Sequence, residues 1–244
     1  MIPVLIAGCT STTLSNVYLL SLSYADQPGT APNDSSQINP NVSTTFANLV
    51  SQNGFNASMS FKIRVGFLGF CLADSAGTWV CERSAKALAN FIRASRADRD
   101  PLNVVWIAKE FQEQSLFSGL WIASIVLMFA CILLLITYPG WHEEEDISGR
   151  GLEDKIFPPR TVSQWALVAA VFASLFALVS AIWQHITCAT GAAMVRSLSY
   201  GTVQTVVGPA AMILAWGSVF LVIVATIGLL VMILSIRVLA ETFG

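Results

Sequence analysis

Apolar residues fall in long uncharged blocks set apart by polar stretches. Residues 116–138 (LFSGLWIASIVLMFACILLLITY), 162–184 and 203–236 each contain no Asp, Glu, Lys or Arg. About 20 apolar residues of helix cross about 30 Å of hydrocarbon, and an open chain in lipid must satisfy its own backbone groups by coiling. Each block therefore predicts a transmembrane helix, and the last is long enough to tilt or project. Residues 1–24 begin with Ile2-Pro3-Val4-Leu5-Ile6, turn polar at Cys9-Thr10-Ser11-Thr12-Thr13, and recover at Val17-Tyr18-Leu19-Leu20. No Lys or Arg precedes the apolar run, so the basic region of a signal peptide is missing. The segment is read as a first span whose start is short or truncated.

The polar intervals complete the division. Residues 25–115 form one large loop domain, 139–161 a middle loop, 185–202 a short second outer loop and 237–244 a tail. The front of the large loop, rich in Pro, Asn, Ser and Asp, reads as irregular chain. From Met59 the pattern sharpens: Met59, Phe61, Ile63, Val65 and Phe67 alternate with Ser60, Lys62, Arg64 and Gly66. Period-two alternation predicts a strand with one buried face. Gly66 and Gly69 permit a bend or a close backbone approach. A strand around residues 78–81 would return across Asp74-Ser75-Ala76-Gly77. Helical spacing follows through Leu88, Phe91 and Ile92, is broken at residues 98–101, and resumes through Leu102, Val105, Trp106 and Phe111. Trp106 and Trp121 suit a headgroup zone.

Composition agrees with a membrane protein. Hydrophobic residues make up 55% and charged residues 11% of the 244, unlike a soluble domain. The large loop holds acceptor triplets at Asn33, Asn41 and Asn56, and none lies elsewhere. Their clustering places this loop in the secretory lumen and predicts glycosylation there. A bridge between Cys71 and Cys81 would clip the small β-element, since disulfides persist in oxidising compartments. Two reduced cysteines in a cytoplasmic loop are the alternative. Loop entropy makes so short a bridge worth roughly 2–3 kcal/mol. Cys9 and Cys131 read as packing residues, while Cys188 has no evident partner. The basic residues Arg150, Lys155 and Arg160 of the middle loop, against Arg196 alone in the short outer loop, put the middle loop and both termini in the cytoplasm.

The run Gly66-Phe67-Leu68-Gly69-Phe70-Cys71 with Cys81 resembles the Gly-apolar-apolar-Gly-x-Cys…Cys signature of claudin-like tetraspans. Together with Ala7-Gly8-Cys9-Thr10-Ser11 and Leu14-Ser15-Asn16-Val17-Tyr18-Leu19-Leu20-Ser21-Leu22-Ser23-Tyr24, the chain resembles the fungal family described as calcium regulators and membrane-fusion proteins, induced during mating. The resemblance extends over nearly the whole chain. It implies an all-α membrane fold, a claudin-like four-helix bundle with a small disulfide-clipped extracellular β-element. It also implies a plasma-membrane protein supporting low-affinity calcium influx and the fusion of mating or growing cells. No residue matches the tryptophan that animal claudins place before the paired glycines, so tight-junction behaviour is not carried over.

The chain's own chemistry points to regulation rather than conduction. Ionisable groups inside membranes mark ion paths, and divalent selectivity draws on rings of carboxylates or carbonyls. The second and fourth spans hold no ionisable group, and His185 stands at the edge of the third. Asp74, Glu82, Asp98 and Asp100 fit no EF-hand spacing, and no Cys/His clustering suggests a metal or cofactor. Small residues at Ala169, Ala170, Ala173, Ser174 and Ala177, and at Gly208, Ala210, Ala211 and Gly217, allow close helix packing; Gly208-Pro209 is expected to kink the fourth span. The run Glu143 to Asp146 reads as a solvated turn. No catalytic motif is present, and His142 and His185 fall on opposite sides of the membrane in this topology, so an enzyme is not expected. The expected partners are the lipid bilayer, calcium-channel subunits or other fusion proteins, and further copies of the chain, with no nucleic acid. A pore-forming oligomeric subunit and an organiser of membrane domains are the rival readings.

Overall fold

The computed structural model describes residues 1–24, 45, 48, 61–73, 77–94, 100, 102–115, 117–136, 160–200 and 202–243. Among the described residues, three helices are long and apolar enough to cross a membrane, within Gly119–Ile136, Val162–Leu198 and Pro209–Val238. Residues 1–24 do not add a fourth. They form helix α1 (Ile2–Ile6), a 3₁₀ turn at Thr12–Leu14 and strand β1 (Leu20–Tyr24). The physical reason lies in the polar run at Cys9 to Thr13, followed by Leu20, Leu22 and Tyr24 alternating with Ser21 and Ser23. That period fits a pleat and not a helix.

The chain divides into two compact units, Met1–Ser118 with Ala181–Gly217, and Gly119–Ser180 with Ser218–Gly244. In the first, a five-stranded antiparallel sheet is built from β1, β2 (Lys62–Val65), β3 (Phe70–Ala73), β4 (Trp79–Glu82) and β5 (Val203–Val207). Their order is β4-β3-β2-β1-β5, so the strand nearest the N-terminus lies inside the sheet. Leu20, Leu22, Ile63, Val65, Phe70 and Leu72 share one buried face. Helix α2 (Ala85–Ala94) packs on β3 and β4, and α3 (Val104–Ser115) packs on β2. The opposite face carries Ser21, Arg64 and Cys71 in one row, and residues of the N-terminal segment lie against it. Residues 203–207, expected at the head of the last span, are thus a strand paired along the whole length of β1.

The second unit holds α4 (Gly119–Ile136) and parts of α5 (Arg160–Leu198) and α6 (Pro209–Phe243). Ala166, Ala170, Ala173 and Ala177 are buried along α5, the small-residue packing expected between helices in lipid. Cys131, Ala166 and Ala170 form a cluster with Leu134, Leu135, Ala169 and Leu229 around them. Two hydroxyls reach across to neighbouring backbone: Ser124 Oγ donates to Ala173 O at 2.9 Å, and Thr226 Oγ1 lies 3.3 Å from Ala170 O. Val126, Phe129, Phe172, Phe220 and Val231 point outward and exposed, as lipid-facing side chains must.

Three boundaries move. Helix α5 runs through the expected outer loop as far as Leu198, and α6 continues to Phe243 through most of the expected tail. Pro209 does not kink α6 but begins it, where its missing N–H costs nothing and its fixed φ suits the first turn. Trp121, expected at the headgroups, is fully buried.

Candidate functional site

The glycine–cysteine element is assembled against a segment far away in sequence. A Cβ added at Gly66 would run into the backbone of Gly8, and one at Gly69 into the backbone of Cys9. Both glycines therefore serve a close backbone approach between two turns, which only a residue without a side chain allows. The turn itself is closed by Gly66 N–H donating to Gly69 O at 2.8 Å. Gln112 of α3 holds it from the other side, its Nε2 donating to Gly66 O and Phe67 O, each at 3.0 Å. A third contact repeats the pattern: a Cβ at Gly208 would strike Tyr18 O, while Gly208 N–H donates to Leu19 O.

Cys71 and Cys81 face each other across β3 and β4 and are bonded. Their bridge closes the hairpin over Gly77, which takes a positive φ of 77°; Asp74 to Ala76 lie outside the described residues. Cys71 Sγ, oxidised and without a proton, sits 3.6 Å from Cys9 O. Cys9 is a free, fully buried thiol at φ 59°, a left-handed conformation that is uncommon outside glycine. Burial pushes its thiol up to about 12, an effect partly offset by the nearby Arg64 charge. The other free cysteines, Cys131 and Cys188, are buried in their helices.

Arg64 connects this element to the N-terminal segment. Its guanidinium carbon lies 3.9 Å from the Trp79 ring centroid and 4.7 Å from that of Tyr18. Its Nη1 donates to Ser15 O and to Asn16 Oδ1, both at 2.9 Å. The planar cation is thus stacked and bonded at once, which a lysine could not reproduce. At the far end of β1, Tyr24 OH donates to Asp100 Oδ1 at 2.7 Å. The same carboxylate accepts from Val104 N–H and Val105 N–H, satisfying free donors at the start of α3. Burial and then the Asp100 charge raise the Tyr24 phenol above its ordinary range.

The sequence-predicted residues are therefore brought together in part. Gly66, Gly69, Cys71 and Cys81 form one element; Asn33, Asn41 and Asn56 lie outside the described residues. His185 meets the Trp216 ring edge-on at 6.5 Å between centroids. Among the described residues no group of three or more His, Cys, Asp or Glu side chains could hold a metal ion. Gln112 carries no signal in the sequence, and Gly8, Arg64 and Tyr24 stand there only within longer runs, with no role of their own. Arg64 carried a signal, a cation placed in strand register within reach of a tryptophan on the hairpin.

What this arrangement supplies is position: it clamps the N-terminal segment, the hairpin and α3 into one body. The family model described as Ca2+ regulator and membrane fusion protein Fig1 matches residues 47–235. No curated protein matches the chain, and no solved structure does.

Proposed function

Because this chain belongs to the Fig1 family of Ca2+ regulators and membrane fusion proteins, we propose that it is a plasma-membrane regulator of low-affinity calcium influx. In this reading it also supports cell fusion during fungal mating or sexual development. The observation that carries the reading is the extent of the family match, which takes in the bridged hairpin and reaches all three apolar helices. The large loop faces outward and is glycosylated at Asn33, Asn41 and Asn56, while the middle loop is cytoplasmic. A disulfide-clipped sheet suits that outer compartment. Calcium-channel subunits or other fusion proteins are the partners, and the chain works without catalysis.

The test is cytosolic calcium influx in pheromone-stimulated fungal cells with and without this chain. Influx that falls when the chain is removed supports the regulatory role. Unchanged influx removes the calcium part of the reading, and a conductance from the purified protein alone would make the chain a pore instead.

A further inference from the structure

The two outer strands of the sheet, β4 and β5, are finished differently. An outer strand offers unpaired N–H and C=O groups to other chains, and folded proteins blunt that offer with charge, proline, bulges or a covering segment. β4 is blunted: it ends on Glu82, and the 3₁₀ turn at Thr12–Leu14 lies beside it. β5 is not. Val203 to Val207 (VQTVV) holds no charge and no proline, and its pairing with β1 runs from end to end without a bulge. Helix α5 backs this strand through a side chain, Thr205 Oγ1 donating to Ala192 O at 3.0 Å.

One hydrogen bond fixes where the main-chain groups of β5 point. Gly208 N–H donates to Leu19 O at 3.0 Å. Gln204 and Val206, in phase with Gly208, therefore turn toward β1 as well, and Val203, Thr205 and Val207 turn away. The Val203 N–H is taken by Ser199 Oγ at 3.2 Å. Among the described residues nothing pairs with the N–H and C=O of Thr205 and Val207. These open groups are self-complementary. About a twofold axis through Val206, Thr205 of one copy falls opposite Val207 of the other, and each such pair exchanges two bonds. The same axis sets Val206 against Val206 in the close position where side chains meet, and this valine is 49% exposed. A register centred on Thr205 would call on the Val203 N–H, which is already bonded. That symmetry selects a copy of this strand over an unrelated one: a single rotation satisfies the open set and covers the exposed valine at its centre. We propose that β5 pairs antiparallel with β5 of a second copy of this chain, continuing one sheet into the other through Thr205, Val206 and Val207. The pairing stands independently of the calcium reading.

The experiment places Val206→Cys in the full chain, expressed in membranes as two differently tagged copies and treated with a mild oxidant. At the axis the two Cα atoms come about 4.5 Å apart, close to the 4.0 Å of the bridged Cys71–Cys81 pair in the same sheet. A bridged homodimer is therefore expected on non-reducing gels. Gln204→Cys, also at an exposed position, lies about 14 Å along the strand from its mate in this register and should stay unbridged. Val206→Lys should raise the dissociation constant of the detergent-solubilised chain roughly tenfold or more, read by light scattering. Val207→Pro should weaken association too, by removing an outward N–H that β1 does not use. Mixing the Val206→Lys and Val206→Glu chains should restore the pair. The thermal midpoint and the Cys71–Cys81 bridge should be unchanged in both charged variants, and the bridging comparison decides alone if either fails to fold. A monomeric wild-type chain, bridging at Gln204→Cys as readily as at Val206→Cys, or undiminished association in Val206→Lys and Val207→Pro would overturn the proposal. Val206→Cys bridged to a different protein would overturn it as well, giving the edge to that partner.

Discussion

The guanidinium of Arg64 lies over the indole of Trp79, 3.9 Å from carbon to ring centroid, on a strand two places away in the sheet. Tyr18 takes part of the same cation from the N-terminal segment. Replacing Arg64 by Lys keeps the charge and loses both the guanidinium's contact with the two rings and the paired bonds to Ser15 and Asn16. The expected cost is about 1–2 kcal/mol in denaturant unfolding of the detergent-solubilised protein. Wild-type stability in that variant would show that the stack holds nothing in place.

The two motif glycines should be the least replaceable residues of the sheet. Gly66→Ala and Gly69→Ala each force a methyl group into the Gly8–Cys9 backbone, which cannot move without breaking the turn. A loss of at least about 2–3 kcal/mol is expected, as for overpacking against a rigid neighbour. Gly228→Ala is the contrasting variant, since a Cβ there meets nothing within 4 Å. Surface delivery should fail for the first two and survive for the third.

Cys81→Ser removes the bridge to Cys71. The loop it closes is short, so the loss is roughly 2–3 kcal/mol by loop entropy. Delivery to the cell surface should fall, and non-reducing gels should show altered mobility. Normal trafficking with unchanged mobility would remove the bridge from any role in the folded protein.

Cys9 should be inert to alkylation while the protein is folded. Its thiol ionises at about 12 against an ordinary 9.0, so the thiolate near pH 8 is reduced roughly a thousandfold, and the labelling rate with it. Mass spectrometry of iodoacetamide-treated protein, before and after unfolding, reads the difference. The same shift makes stability depend on pH. Below 9.0 both states keep the proton; between 9.0 and about 12 the unfolded state loses it first, so folding weakens as pH rises through that window. Cys9→Ala should flatten the start of the alkaline limb, between 9.0 and the ordinary tyrosine value of 10.0, above which Tyr24, likewise raised by burial, adds its own loss.

The apolar blocks were readable because 18 or more uncharged residues allow few alternatives in lipid. Two strands were hidden inside those blocks. Leu20, Leu22 and Tyr24 alternate in plain view, but Ile2 to Ile6 lend the first 24 residues the bulk of a span. Val203 to Val207 (VQTVV) is uncharged and mostly β-branched and leads into α6, where composition alone does not separate strand from helix; the break is Gly208-Pro209. The hairpin and its bridge followed from local spacing, Cys71 lying opposite Cys81 in register. The surface that Gly66 and Gly69 press against was invisible for the opposite reason, because Gly8 and Cys9 come from a different part of the chain. Gln112 was equally unreadable, being one polar residue among several on α3.

The pairing of β1 with β5 sets a schedule for biosynthesis. Leu20 is opposite Val207, so one side of β1 stays open until the ribosome has passed both earlier apolar helices. At about 5–20 residues per second that wait is roughly 10–40 s. Through that interval the nascent sheet offers an unpaired strand edge, the kind of surface that chaperones retain and that aggregation exploits. The last strand therefore serves as a completion mark: a chain stalled or cut before Val203 leaves its first strand unsealed. In the proposed topology, the secretory pathway can detect that fault from the luminal face alone.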